Sequence, residues 1–593
     1  MSLNGVLAAI SDHPEYRRHL ELMANSLEAP EVTVRQGGCP GYIGALWRRQ
    51  LGPILVVAPR PEDARRLHDQ LLTYLGDAQP VYLAPEPEVL PFERLAVDAY
   101  TSHQRLAALA ALSDPSGCRN GASGSRDGKG SAYPLVVTSI GAALHKTLPL
   151  EIMTGPGGST GDGKLGSYRI RVGERVRLNR LLTQWVDLGY RNEPLVEAPG
   201  CFSHRGGIID LYPPHSALPF RIELWDDEVD TIRLFDPYSQ RSVRSADEVR
   251  FIPAREQLPS LADHAMVEQL TAAMDFTKCT VEVRERVEDE LAHLLSAPNI
   301  ESLTFYNGLL NHTSLLEYLP EHGRVVLDRA SQIEAEALEL EERFGRMRAS
   351  REERGELPGH FPSPYIAWEE FAAKLAQKRR LLLQSWVSAD EDHIFQPAVP
   401  YYGRLEQLAS DARRYQQQGT AVVAVTQHAR RLAEILEESG AGVTVSETLE
   451  AAPQPGRIYL IPGSLREGWT LAPQSTPLVA EMPPSPAYTG GNCSLTLLTD
   501  AELFGTVKER RYRRNSRVEH GPEVALADLV PGSFVVHIDH GVARFAGTTK
   551  IGDNGAERST WSWSTPSKTS FTCPPTTWTG SPLTSAPWTT RPP

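Results

Sequence analysis

Three stretches of the chain carry the residue types that catalysis and nucleotide binding use. The first is Gly37-Gly-Cys-Pro-Gly-Tyr-Ile-Gly44, at the first loop of an alternating strand and helix pattern. A phosphate loop at that point needs backbone N–H groups aimed at the phosphates, a Lys to reach them and a Ser or Thr hydroxyl for magnesium. Gly37, Gly41 and Gly44 are present, but no Lys or hydroxyl accompanies them, so this degenerate loop is not expected to bind nucleotide. The second stretch, Gly158-Ser-Thr-Gly-Asp-Gly-Lys164-Leu165, has the glycine spacing and the Lys. It lacks the hydroxyl at Leu165 and no apolar strand precedes it, which makes it a flexible loop. The third, His537-x-x-His540 with Asp539, has metal-ligand types. On an alternating strand, residues three apart point to opposite faces, so one ion is poorly placed to bind both histidines. No metal site is expected.

A different constellation suits recognition rather than catalysis. Phe220-Arg-Ile-Glu-Leu-Trp225 alternates with period two, putting Phe220, Ile222 and Leu224 on one face and Arg221, Glu223 and Trp225 on the other. An outward Trp beside an Arg is the pairing most enriched at interface hot spots. Gly206 and Gly207 permit a bulge that would aim Arg205 at the same patch. Periodicity alone leaves open a sheet packed on both sides, with Trp225 covered by a neighbouring domain.

The elements that position these residues fall into blocks. Apolar runs at Pro53–Val57, Val81–Leu83 and Leu135–Thr138, separated by helical patterns, predict a parallel sheet covered on both faces. A Gly/Ser/Arg-rich loop, 113–132, interrupts them. From 150 to 250, short alternating strands and the turns at Pro213–Ser216 and Asp226–Glu228 predict a small antiparallel domain. Helical periodicity dominates 260–385, including a charged, solvated helix from Ile333 to Arg354. A second α/β pattern follows Pro397: helices Leu405–Gln417 and Ala429–Glu438, and strands Ala421–Val425, Arg457–Ile461 and Leu495–Leu498. The fold class is thus a multidomain α/β protein with an inserted antiparallel β domain.

Composition narrows the function classes. With 593 residues, 41% hydrophobic and 23% charged, the chain has room for several domains of ordinary globular character. A net charge of −14 disfavours non-specific nucleic-acid binding, which needs clustered Lys and Arg. The basic run Lys508–Arg517 reads as a solvated linker. No signal-peptide pattern or membrane-length apolar run is visible, so a cytoplasmic protein without membrane association is expected. The six scattered cysteines, Cys39, Cys118, Cys201, Cys279, Cys493 and Cys573, show no C-x-x-C pairing and read as reduced thiols.

Residues 168–255, above all the block 205–243, resemble the transcription-repair coupling factors and, more distantly, the excision-repair helicase UvrB. Leu498–Gly505 and Pro531–Gly547 are similar to the start of the RNA-polymerase-interacting, Tudor-like domain of the same family. The resemblance implies a UvrB-like α/β domain in two parts, 1–148 and 256–390, around a UvrA-binding antiparallel domain, 149–255. It further implies a small α/β domain at 391–505, a basic linker at 506–524 and the beginning of a partial Tudor-like β-barrel at 525–558. Carried over position by position, the UvrA contacts fall on Arg205, Arg221 and Trp225, the last where the family is expected to have Phe. The contact to the RNA polymerase β subunit falls on Ile551. Intact relatives continue into an ATP- and magnesium-dependent DNA translocase, whose motor motifs these 593 residues lack. No cofactor is therefore expected here, and the expected role is a docking element of transcription-coupled nucleotide excision repair. The alternative is a UvrB-like excision-repair helicase subunit, which would hydrolyse ATP.

From Ser559 the sequence changes character. Of its last 35 residues, 28 are Thr, Ser, Pro or Trp and none is acidic. Re-reading this segment in the neighbouring frame allows an alternating strand, a charged turn and a second strand. The expectation is a single-base loss near the Arg558 codon, with 559–593 an out-of-frame, disordered tail; an intact frame on resequencing would refute it. The interrupted barrel would then have an open sheet edge, poor polymerase binding and a tendency to aggregate.

Overall fold

The computed structural model describes residues 1–25, 29–114, 132–155, 166–294, 303–385, 394–471 and 495–506, with backbone alone at 534–537, 541–553, 556–564 and 570–573. The loop 113–132 falls almost wholly outside these residues. So do Gly158–Leu165, the basic run 508–517 and His540.

The first sheet has six strands in the order Glu31–Thr33, Arg379–Gln384, Arg324–Asp328, Ile54–Ala58, Leu135–Ser139, Val81–Ala84. Every neighbouring pair is parallel. Ile54–Ala58 and Leu135–Ser139 are buried along their whole length, as a sheet covered on both faces requires. Two of the strands come from 260–385, where the sequence pattern gave helices. Arg324–Asp328 and Arg379–Gln384 close the sheet between Glu31–Thr33 and Ile54–Ala58, so the domain is assembled from two chain segments on either side of the antiparallel insertion. The charged helix Ala330–Glu353 buries only Ile333, Ala337 and Leu340, a single stripe.

The antiparallel domain is a sheet in the order Ser242–Ala246, Glu228–Phe235, Phe220–Trp225, Ile208–Leu211, Cys201–Arg205, Arg191–Asn192. All pairs from Phe235 back to Cys201 are antiparallel, and the short edge strand Arg191–Asn192 is parallel. A separate ladder joins Tyr168–Arg171 to Glu248–Phe251. The core between them contains Ile209, Ile222, Phe202, Trp185 and Phe251, with Trp185 contributed by the helix Leu178–Asp187. Ile170, Trp185, Ile209, Ile222 and Phe251 are all fully buried.

A buried ion pair ties the end of this insertion to the first domain. Arg105, on the helix Ala99–Ser113, donates Nε and Nη2 to Glu256 at 2.6 and 3.0 Å, and Thr147 adds its hydroxyl to the same carboxylate at 2.7 Å. Two charges leave water here only because each is matched and hydrogen-bonded.

The second α/β sheet runs Phe395–Pro397, Trp469–Leu471, Leu495–Thr499, Ala421–Val425, Ile458–Ile461, Val443–Val445. Its central pairings are parallel and the first two are antiparallel. The helices Leu405–Gln418 and Ala429–Glu438 lie where the sequence places them. Among the described residues, no helix is long and apolar enough to cross a membrane.

The chain divides into two compact units, the larger made of 1–234 and 244–510. The other unit contains a four-stranded antiparallel meander, Phe534–His537, Gly541–Asp553, Ala556–Ser564 and Ser570–Cys573. This meander lies where a partial barrel was expected, and Ile551 pairs with Arg558 in its register. Strands do not stop at Arg558: Ser559–Ser564 continue one and Ser570–Cys573 form another, although the sequence reading made this tail disordered. The segment Thr560-Trp-Ser-Trp563 combines β-branched and aromatic residues at alternating positions, which is enough strand propensity to extend the ladder.

Candidate functional site

The glycines of the degenerate phosphate loop are explained by packing. The loop leads into the helix Cys39–Arg48, capped by Gly38. A Cβ on Gly38 would lie 2.4 Å from the Phe395 ring, and one on Gly37 would lie 3.1 Å from Glu467. One on Gly41 would meet Ile10 and Tyr74, and one on Gly44 would meet Leu7. Side chains at these four positions would therefore collide with the chain's own Phe395, Glu467, Ile10, Tyr74 and Leu7, which accounts for the glycines without a ligand. Phe395 itself is held edge-on by Trp469, whose indole N–H donates to the Tyr74 hydroxyl at 3.1 Å. On the same helix, Cys39 is buried with its thiol 3.6 Å from Asp328, and burial pushes that thiol up. The residue set of this loop, without Lys, Ser or Thr, does not match what a nucleotide phosphate and its magnesium use. Among the described residues, no group of His, Cys, Asp and Glu could hold a metal ion.

The antiparallel sheet is arranged in the opposite way. Cys201–Arg205 and Ile208–Leu211 pair with Arg205 opposite Ile208, so Gly206-Gly207 forms a two-residue hairpin turn with Gly206 at φ +61°. This corrects the expected bulge: the glycines allow a tight reversal, and the register shift lies elsewhere, between Val229 and Thr231. The turn still brings Arg205 to the intended face. In the ladder Asp210 stands opposite Arg221, and Arg221 opposite Arg233. Period-two alternation then places Ser203, Arg205, Ile208, Asp210, Arg221, Glu223 and Trp225 on the side away from the core.

That face is graded from covered to open. Ser203 and Asp210 are 4% and 2% exposed, and the Ser203 hydroxyl donates to the Pro194 carbonyl at 3.2 Å. Arg221 reaches Asp210 with two parallel hydrogen bonds, Nε to Oδ1 at 2.7 Å and Nη2 to Oδ2 at 2.9 Å, leaving its side chain 21% exposed. The hydrogen bond to Asp210 raises the Arg221 pKa against the opposing effect of partial burial. Arg205 approaches the same carboxylate at 3.5 Å but remains 59% exposed. Glu223 accepts from the Thr231 hydroxyl at 3.0 Å and pairs with Arg233 at 3.5 Å. At the open end Ile208 is 43% exposed, and Trp225, beside the Asp226-Asp227 turn, is 81% exposed.

The structure thus brings Arg205, Arg221 and Trp225 onto one face in unequal states. Trp225 projects into solvent, Arg205 is mostly exposed while reaching Asp210 at 3.5 Å, and Arg221 is largely absorbed by Asp210. Strand alternation gave the face but not this pairing, because Asp210 lies on another strand and only the register brings it to Arg221. A carboxylate set between apolar residues in Ile208-Ile-Asp-Leu211 was the available signal. Ile551 lies in the strand Gly541–Asp553 of the meander.

Comparison with known proteins bears on the same region. Residues 168–256 match the model of the UvrB interaction domain. The chain is 29% identical over 556 residues to a transcription-repair-coupling factor of Myxococcus xanthus, an alignment covering 88% of this chain and 42% of that protein. It is 25% identical over 540 residues to the Bacillus subtilis transcription-repair-coupling factor, covering 87% of the chain and 42% of the relative. A Staphylococcus epidermidis transcription-repair-coupling factor is 27% identical over 409 residues, with shares of 65% and 33%. The chain therefore spans less than half the length of these curated relatives. In sequence and in its UvrB interaction domain, it resembles the N-terminal region of the transcription-repair-coupling factors.

Proposed function

We propose that this chain is a docking element of transcription-coupled nucleotide excision repair, and that its antiparallel domain recruits UvrA through Trp225, Arg205 and Arg221. The observation that carries this reading is Trp225, 81% exposed on a well-packed sheet with two arginines on the same face. An indole buries roughly 150–250 Å² when covered, worth on the order of 4–6 kcal/mol before the costs of association. Leaving that surface in water wastes it unless a partner covers it. The phosphate-loop region supports docking rather than ATP hydrolysis, since residues 37–44 carry neither the Lys nor the Ser or Thr hydroxyl that phosphate and magnesium binding use. We further assign RNA polymerase β-subunit contact to the meander that carries Ile551, on resemblance alone. DNA translocation, with ATP and magnesium, belongs in this reading to the part of the relatives that the chain does not span.

The test is UvrA capture by the full chain and by a Trp225→Ala/Arg205→Ala variant. Both side chains are exposed, so the variant should fold as the parent does. Loss of capture is expected; equal capture by the two proteins would overturn the assignment of the face.

A further inference from the structure

We infer that Asp210 is a positioning residue of this face: it holds Arg221 rigid and draws in Arg205, presenting two guanidinium groups in a fixed array beside Trp225. The inference rests on the docking reading above and adds a residue that the pattern of outward side chains does not reveal.

Three observations carry it. Asp210 is 2% exposed, so its carboxylate is not available to a partner, yet it lies on the outward side of the sheet rather than in the apolar core. Its two oxygens receive Nε and Nη2 of Arg221 at 2.7 and 2.9 Å, a bidentate fork that fixes the plane of the guanidinium. The Oδ2 atom also receives Arg205 Nη2 at 3.5 Å, so one buried carboxylate connects both arginines. The ladder makes this possible, because Asp210 pairs directly with Arg221 and sits two residues along the strand from Ile208, the partner of Arg205. An arginine side chain loses rotamer entropy when it is immobilised, and one already fixed loses less of it on docking. The carboxylate also removes one of the two positive charges, so the pair adds a single net charge for a partner to match. A partner that recognises this array needs acceptors set at the spacing of two guanidinium groups around an aromatic slot.

Asp210→Asn tests this in the full chain, because it keeps the shape and removes the charge-assisted fork. UvrA affinity should fall by about tenfold, the range for losing a charge-assisted hydrogen-bond geometry at an interface. The same substitution in an Arg205→Ala/Arg221→Ala background should change affinity by less than about twofold, since a residue acting through its partners shows strongly non-additive effects. A purely structural role would give the same loss in both backgrounds and would overturn the inference. So would parental UvrA binding by Asp210→Asn alone. A second readout needs no partner. In protein labelled at arginine nitrogen, the Arg221 Nε–H resonance should be protected from exchange in the parent and lost in Asp210→Asn; an unchanged resonance would refute the positioning role. If the parent itself fails to bind UvrA while this resonance behaves as expected, the docking reading falls and the rigid array stands.

Discussion

The degenerate phosphate loop and the antiparallel face both attract attention in the sequence, and the structure treats them in opposite ways. At Gly37 and Gly38 the chain's own Glu467 and Phe395 press so close that a side chain could not be added without a clash. Around Trp225 the chain leaves a large aromatic almost wholly in water. Spacing alone therefore does not make a site: the glycines at phosphate-loop positions sit where the chain packs against itself, whereas Trp225 stands clear of its own chain. What separates the cases is whether the surrounding structure fills the volume next to the motif.

Four measurements would break or sharpen this contrast. The largest effect belongs to Gly38→Val, whose Cβ would fall 2.4 Å from the Phe395 ring. Overpacking typically costs about 1–3 kcal/mol, and a clash this close places the substitution at the upper end of that range. A lower denaturation midpoint is expected; unchanged stability would mean that the region is looser than described. Next, Trp225→Ala should weaken UvrA binding by about 30-fold, equivalent to a hot spot of about 2 kcal/mol. Its stability should stay within about 0.5 kcal/mol of the parent, since the side chain touches little. Trp225→Phe should retain most of the affinity, because the slot would still receive an aromatic ring.

Acid tests the interior instead of the face. His145 is buried beside Arg105, and burial, then the Arg105 charge, push its pKa down to about 3. In the unfolded chain it titrates near ~6.5, so below that pH the unfolded state takes up a proton that the folded state refuses. Stability from this group is present above ~6.5 and declines as pH falls toward 3, by about 2 kcal/mol at pH 5. Glu256 works in the same direction at lower pH: burial pushes its carboxyl up, but Arg105 outweighs this and its pKa ends below the usual value. Denaturation midpoints at pH 7 and pH 5 should differ accordingly, and His145→Gln should reduce the difference. The smallest effect is Arg205→Ala, expected to lower UvrA affinity about threefold at low salt and less as salt screens the exposed charge.

Much of this was legible from the sequence, for stated reasons. Buried parallel strands such as Ile54–Ala58 and Ala421–Val425 are apolar at every position, and the two helices of the second α/β domain show clear periodicity with breakers at their ends. The alternation in Phe220–Trp225 sorted its side chains correctly, with Ile222 fully buried and Trp225 exposed. The rest depended on partners distant along the chain. Arg324–Asp328 runs into the long helix Ala330–Glu353, Arg379–Gln384 follows the helix Trp368–Ala376, and only their pairing in the first sheet makes them strands. The Arg105–Glu256 pair spans 151 positions, and no local pattern announces a buried charge whose match lies so far away. The same holds for Phe395 over Gly38, which turns an apparent ligand loop into a packed corner.

That corner also makes two parts of the chain answer to one side chain. Phe395 stands against Gly38 at the start of the helix Cys39–Arg48 and edge-on to Trp469 in the second sheet. A larger residue before the helix and a smaller one in place of the ring are each harmful alone, so the two positions are free to change only as a pair.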